Sequence, residues 1–156
     1  VNTFTKAVQD NGRPVEDYGV TERGSPRPAP PLATVLVVDD DPLVRTVTAA
    51  MLEHHGFAVL EAGNGRDALA LMGRGEGRGE SVDLLIVDFE MPGMNGIAVA
   101  EAIGRTRPDL PVIFLTGFGH RAELNGVHPG SIVEKPVSDG DLAARVHAAL
   151  AVRPDV

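Results

Sequence analysis

Three consecutive aspartates, Asp39, Asp40 and Asp41, follow directly on the apolar run 35–38, and a fourth, Asp88, follows directly on the run 84–87. Carboxylates gathered within a few ångströms repel one another, so such a set must hold protons or a cation. Hard oxygen donors select Mg²⁺, which retains water ligands and accepts phosphate oxygens. Thr116 ends the run 112–115 and offers a hydroxyl donor, while Lys135, soon after 132–133, offers a mobile cation. Both suit the oxygens of a phosphoryl group carried on a neighbouring acid. Gly117, lacking a side chain, leaves the approach to that acid open. Taken singly, each residue has a plainer reading: Asp beside a helix start is a common cap, Thr a common strand residue, and Lys a solvated charge. Their placement at successive strand ends favours a site.

These side chains meet only if the runs before them are neighbouring parallel strands, because the ligand crevice of an open α/β sheet lies at the carboxyl ends of its strands. The runs 35–38, 84–87 and 112–115 are continuous and rich in β-branched residues, as strands buried on both faces should be; the shorter runs 57–60 and 132–133 complete a count of five. Helical patterns alternate with them. Leu43, Val44, Val47, Ala50 and Met51 recur at three- and four-residue spacing after Pro42 and before Gly56. Asn64 can cap a second helix carrying Ala68, Leu69 and Met72, and Asn95 a third carrying Ile97, Val99, Ala100 and Ile103. A last helix runs from about Ser138 to Ala151, with Leu142, Val146, Ala149 and Leu150 on its apolar face. Gly73, Gly75, Gly77 and Gly79 predict an exposed loop before the third strand, and the glycines and proline between 117 and 130 leave room for only about two turns of a fourth helix.

The chain has 156 residues, enough for one domain and a tail. Four prolines within 26–31 read as a linker, so residues 1–33 are expected to be a flexible segment and Pro-rich linker, 34–152 the folded domain and 153–156 a tail. A remnant of an upstream domain or a dimerisation helix is the alternative for the first segment. The absence of cysteine excludes a disulfide framework, a thiolate metal site and a thiolate nucleophile, leaving carboxylates as first candidates for covalent chemistry. A net charge of −8 disfavours direct nucleic-acid binding. No membrane span or signal peptide is evident, and a cytoplasmic protein is expected. None of the histidines has a spacing that suggests a metal site or a phosphohistidine. His54 and His55 fall where a helix dipole favours a cation, and His147 lies on the last helix.

The segments VLVVDDDP at 35–42, LLIVDFEMPGMNG at 84–96, IFLTG at 113–117 and EKP at 134–136 resemble the CheY-like response-regulator receiver family, in the family's order and over residues 34 to about 151. The resemblance implies a flavodoxin-like, doubly wound parallel sheet of strand order 2-1-3-4-5. It implies Asp88 as phosphoacceptor, with Asp40, Asp88 and the main-chain carbonyl of Glu90 as direct Mg²⁺ ligands and Asp39 as a ligand through water. Lys135 would pair with the acyl phosphate and Thr116 would hydrogen-bond it. The phosphoryl donor would be a phosphohistidine on a sensor histidine kinase or phosphotransfer protein, and the output a changed affinity for a downstream protein target. Such a protein is a signalling phosphoacceptor that catalyses only its own phosphorylation and dephosphorylation. It stands alone or forms the receiver of a hybrid histidine kinase. A cis bond between Lys135 and Pro136 is also expected.

One departure is Ile132, where the family usually carries Tyr or Phe three residues before the lysine. Together with the short segment 121–125, it predicts that the face the family usually uses for dimerisation and output is altered, so the common symmetric dimer is not expected. The sequence is also similar to haloacid-dehalogenase-like phosphohydrolases, through Asp39 and Asp41 after a first strand, a threonine and a lysine. That reading would place the covalent phosphate on Asp39, but Leu43 stands where Thr or Val is expected and no late acidic pair accompanies Lys135.

Overall fold

The computed structural model describes residues 28–78, 81–117 and 119–152. Five strands, β1 (Thr34–Val38), β2 (Ala58–Ala62), β3 (Leu84–Asp88), β4 (Val112–Thr116) and β5 (Ile132–Glu134), form one parallel sheet in the order β2-β1-β3-β4-β5. The helices are α1 (Pro42–His54), α2 (Gly65–Arg78), α3 (Gly96–Gly104) and α4 (Asp139–Ala151). This is the flavodoxin-like arrangement expected from the sequence.

Alternation along the strands divides the core in two. Leu36, Val38, Leu85 and Val87 join Val99 and Ile103 of α3 in one apolar cluster, whereas Val35, Val37, Leu84 and Ile86 join Leu52 of α1 with Leu142 and Val146 of α4 in the other. The central strands are therefore apolar between their ends because both faces are covered. Helix starts are set by local side-chain caps: Asp41 accepts from the amides of Leu43 and Val44, Asn95 from Ala98 and Ser138 from Asp141. Asn64 accepts from Asp67 at 2.8 Å. Each satisfies an amide that the first turn leaves without a partner.

Several expectations are corrected. The inward face of α1 is Thr48, Ala49 and Leu52, while Leu43 and Val47 are exposed; Arg45 shares the inward side by donating to the Asp39 carbonyl at 2.8 Å. The glycine-rich stretch is not a loop as far as residue 78, because α2 continues through Gly73, Gly75 and Gly77. The apolar side of the first part of that helix, with buried Ala68 and partly buried Leu69 and Met72, packs on the core, and the helix runs on from it through the glycines. Among the described residues no α-helix forms between 117 and 131; two 3₁₀ turns, Arg121–Leu124 and Pro129–Ser131, stand there. Gly119 and Gly126 both take positive φ and bracket the first of these turns.

Leu32 and Ala33 were expected to belong to the flexible segment, but they are tied to the domain through hydrogen bonds from the Leu32 amide to the Gly56 carbonyl and from the Ala58 amide to the Ala33 carbonyl. The rest of the expected N-terminal segment, to residue 27, and the tail 153–156 lie outside the described residues. Among the described residues no helix is long and apolar enough to cross a membrane.

Candidate phosphoacceptor and metal site

Strand register brings the acids together. Val38 pairs with Val87, so Asp39 and Asp88 are the next residues on adjacent strands. Asp88 pairs with Leu115, and Thr116 with Glu134, which puts Lys135 one residue beyond the same edge. The chain runs on as ladder bonds from the Asp39 amide to Ala62, from Phe89 to Leu115 and from Lys135 to Thr116 hold these ends in place. Gly96 brings the start of α3 against β3: a Cβ there would stand 2.5 Å from the Asp88 carbonyl oxygen. Only glycine fits that approach.

Asp39 and Asp88 are almost fully buried, at 1% and 4% exposure, while Asp40 is exposed. Carboxylate oxygens of these three lie within 4.8 Å of one another. Lys135 Nζ reaches both buried acids, at 3.2 Å from Asp39 Oδ2 and 3.1 Å from Asp88 Oδ1. Asp39 Oδ1 also accepts from the Asp41 amide at 2.9 Å, and Asp88 Oδ1 from the Glu90 amide at 3.4 Å. Burial pushes the Asp88 carboxyl above the ordinary carboxylate range; Lys135 opposes that rise and Asp39 adds to it. Burial also works against the charged form of Lys135, but its contacts with Asp88 and Asp39 outweigh the penalty and hold the ammonium above its ordinary value.

The donor set fits a hard divalent cation. It is all oxygen, it carries more negative charge than Lys135 balances, and exposed Asp40 leaves one side open to solvent. Asp41 is not part of it, since its carboxylate caps α1. That removes the second acid on which the phosphohydrolase alternative depended. Thr116 is fully buried at the adjacent strand end, and its hydroxyl donates to the Gly117 carbonyl at 3.2 Å. The Lys135–Pro136 bond is cis.

Among the histidines, His55 meets Asp139 at 3.1 Å and His147 packs on the Phe57 ring, consistent with structural roles. The residue that sequence reading passed over is His120, whose Nε2 stands 2.7 Å from Glu90 Oε1. No spacing rule singles out a histidine in a glycine-containing loop; only the fold brings it to the acid two residues beyond Asp88. Ile132, in place of the family's aromatic residue, is buried in the same cluster as Phe114 and Leu124.

Comparison with known proteins agrees with this geometry. Residues 35–147 match the family model described as the response regulator receiver domain. The transcriptional regulatory protein CpxR of Klebsiella pneumoniae is 37% identical over 119 residues, covering 74% of this chain and 48% of that protein. The phosphate regulon transcriptional regulatory protein PhoB of Pseudomonas aeruginosa is 34% identical over 122 residues, covering 75% and 51%. The chain thus spans about half the length of these curated relatives. A response regulator receiver domain protein from Clostridium thermocellum superposes with a TM-score of 0.69 at 28% identity, covering 77% of this chain and 95% of that one. With the matched region spanning the sheet and every strand end that carries an acid, the threonine or the lysine, the chain belongs to the response regulator receiver domain family.

Proposed function

We propose that this chain is a two-component phosphoacceptor in which Asp88 receives a phosphoryl group from a phosphohistidine on a sensor histidine kinase or phosphotransfer protein. The observation that carries the reading is a buried carboxylate, Asp88, that shares Lys135 with Asp39 and stands beside exposed Asp40 at the open edge of the sheet. A metal there would be held by Asp40 and Asp88 with the main-chain carbonyl of Glu90, and by Asp39 through water. When bound, Mg²⁺ neutralises the clustered carboxylates and the phosphoryl oxygens.

An Asp88 carboxylate oxygen attacks phosphorus in line. The phosphorus–nitrogen bond breaks and its electron pair returns to the donor imidazole, which leaves neutral when its other nitrogen carries a proton. Lys135 moves from its two carboxylate partners to the new phosphoryl oxygens. Thr116 exchanges its bond to the Gly117 carbonyl for one to the phosphoryl group, drawing the loop after β4 inward. That displacement changes affinity for a downstream protein target, so the activity is signalling, with catalysis confined to the chain's own phosphorylation and dephosphorylation.

Incubation with acetyl phosphate should add one phosphoryl mass to the intact chain in the presence of magnesium, and little with chelator present. Asp88→Asn should abolish the addition. A magnesium-independent adduct, or one that survives in the Asp88→Asn protein, contradicts the reading.

A further inference from the structure

Two loops meet at the mouth of the site through a contact that phosphoryl transfer as described does not use. His120, in the loop after β4, sets Nε2 at 2.7 Å from Glu90 Oε1 and Nδ1 at 3.2 Å from Glu123 Oε1. Its ring centroid lies 6.1 Å from that of Phe89. The other carboxylate oxygen of Glu90 lies over Gly117, where a built Cβ would stand only 3.1 Å from Oε2. Glu90 is thus held from two sides: histidine grips one oxygen, and a missing side chain makes room for the other. Its carboxylate rests against the loop that follows β4, although its backbone belongs to the loop that carries Asp88.

The charge balance makes this placement matter. Asp39, Asp40 and Asp88 cluster beside Lys135, which contacts Asp39 and Asp88, so the lysine and a bound Mg²⁺ together no more than balance the three acids, and every phosphodonor arrives as an anion. A further carboxylate two residues from the acceptor, free to swing, adds repulsion along the donor's approach. We propose that His120 is a positioning residue for phosphoryl transfer, fixing the Glu90 carboxylate against Gly117 so that it cannot swing over Asp88. The inference rests on Asp88 being the acceptor. Glu123, on the far nitrogen of the ring, orients the imidazole for this task.

The test is the rate of Asp88 phosphorylation by acetyl phosphate, measured on the full chain at fixed pH and saturating magnesium. His120→Ala should slow phosphorylation by about two- to fivefold, the scale of a half-exposed polar contact. His120→Gln, whose amide still donates to Glu90, should recover most of the rate. In a Glu90→Gln background, where no charge needs restraining, adding His120→Ala should change nothing. An unaltered rate in His120→Ala overturns the inference, as does an equal slowing in the Glu90→Gln background, which would mean that the loop is merely disturbed. Failure of the unmodified chain to label on Asp88 would instead overturn the functional reading, and this inference with it.

Discussion

Asp88 and Lys135 stand 3.1 Å apart with opposed costs of burial, and their balance sets how the site behaves before any metal or phosphate arrives. The Asp88 carboxyl titrates above its ordinary range because it is buried, an effect that Lys135 reduces and Asp39 reinforces. The folded chain therefore binds this proton more tightly than the unfolded chain does. Stability falls as pH rises from roughly 3.9, the ordinary aspartate value, through the raised folded value. Lys135 acts in the opposite sense: its raised folded value contributes stability that is fully present below roughly 10.4 and is lost as pH climbs through that folded value. In chelator-treated protein, Asp88→Asn should raise stability at pH 7 by about 1 kcal/mol, with the gain fading toward pH 4, as read from urea midpoints. A loss of stability at pH 7 would mean that the lysine contact outweighs the burial of charge. Among the residues expected at the site by type and position, Asp39, Asp88 and Thr116 were legible because each directly follows an apolar run, and Lys135 because it comes two residues after one. The different roles within 39–41 were legible only through the family resemblance, not from residue type and spacing. Consecutive aspartates point in different directions, and only the path of the chain into α1 makes Asp41 a cap while Asp40 stays with the acids.

At the scale of elements, strands were easier to read than helices. A strand covered on both faces has no polar positions, so its run of Val, Leu and Ile stands out, as at 35–38 and 84–87. A helix is legible through the phase of its apolar side, and α1 misleads because Leu43 and Val47 are exposed while Arg45 and Thr48 turn inward. Glycine misleads in α2, where its low propensity suggested a loop but the helix begun at Gly65 continues through Gly73, Gly75 and Gly77. This has a measurable consequence. A Cβ added at Gly73 would meet nothing within 4 Å, so Gly73→Ala should raise stability by about 0.5–1 kcal/mol through the helix alone. No change in thermal midpoint would argue that residue 73 does not spend its time in a helix. The helix expected between 117 and 130 was to span only about two turns, and among the described residues only 3₁₀ turns form there, burying Leu124 beside Ile132.

Across the whole molecule, the site falls where the strand order reverses, between β1 and β3, which is where an open α/β sheet offers a crevice. Fold class was accessible from the sequence because that topology depends on the alternation of elements and little on loop detail. The acid excess of the chain, −8 overall, lies entirely beyond residue 34. A cation that relieves part of it at the strand ends should stabilise the fold. Magnesium at ten times its dissociation constant should contribute about 1.4 kcal/mol at pH 7. The gain should shrink at pH 5, where protons compete for Asp88, and should largely disappear in Asp40→Asn. Equal stabilisation of the Asp40→Asn protein would place the ion elsewhere.

The central claim is that a single β-carboxyl at the end of β3 becomes an acyl phosphate, and borohydride reduction tests it most directly because it converts an aspartyl phosphate into homoserine at the modified position. After treatment with acetyl phosphate and magnesium, peptide mapping should find homoserine at position 88 and aspartate at 39, 40 and 41. Homoserine at 39, or at none of these positions while the chain carries phosphate, would contradict the account.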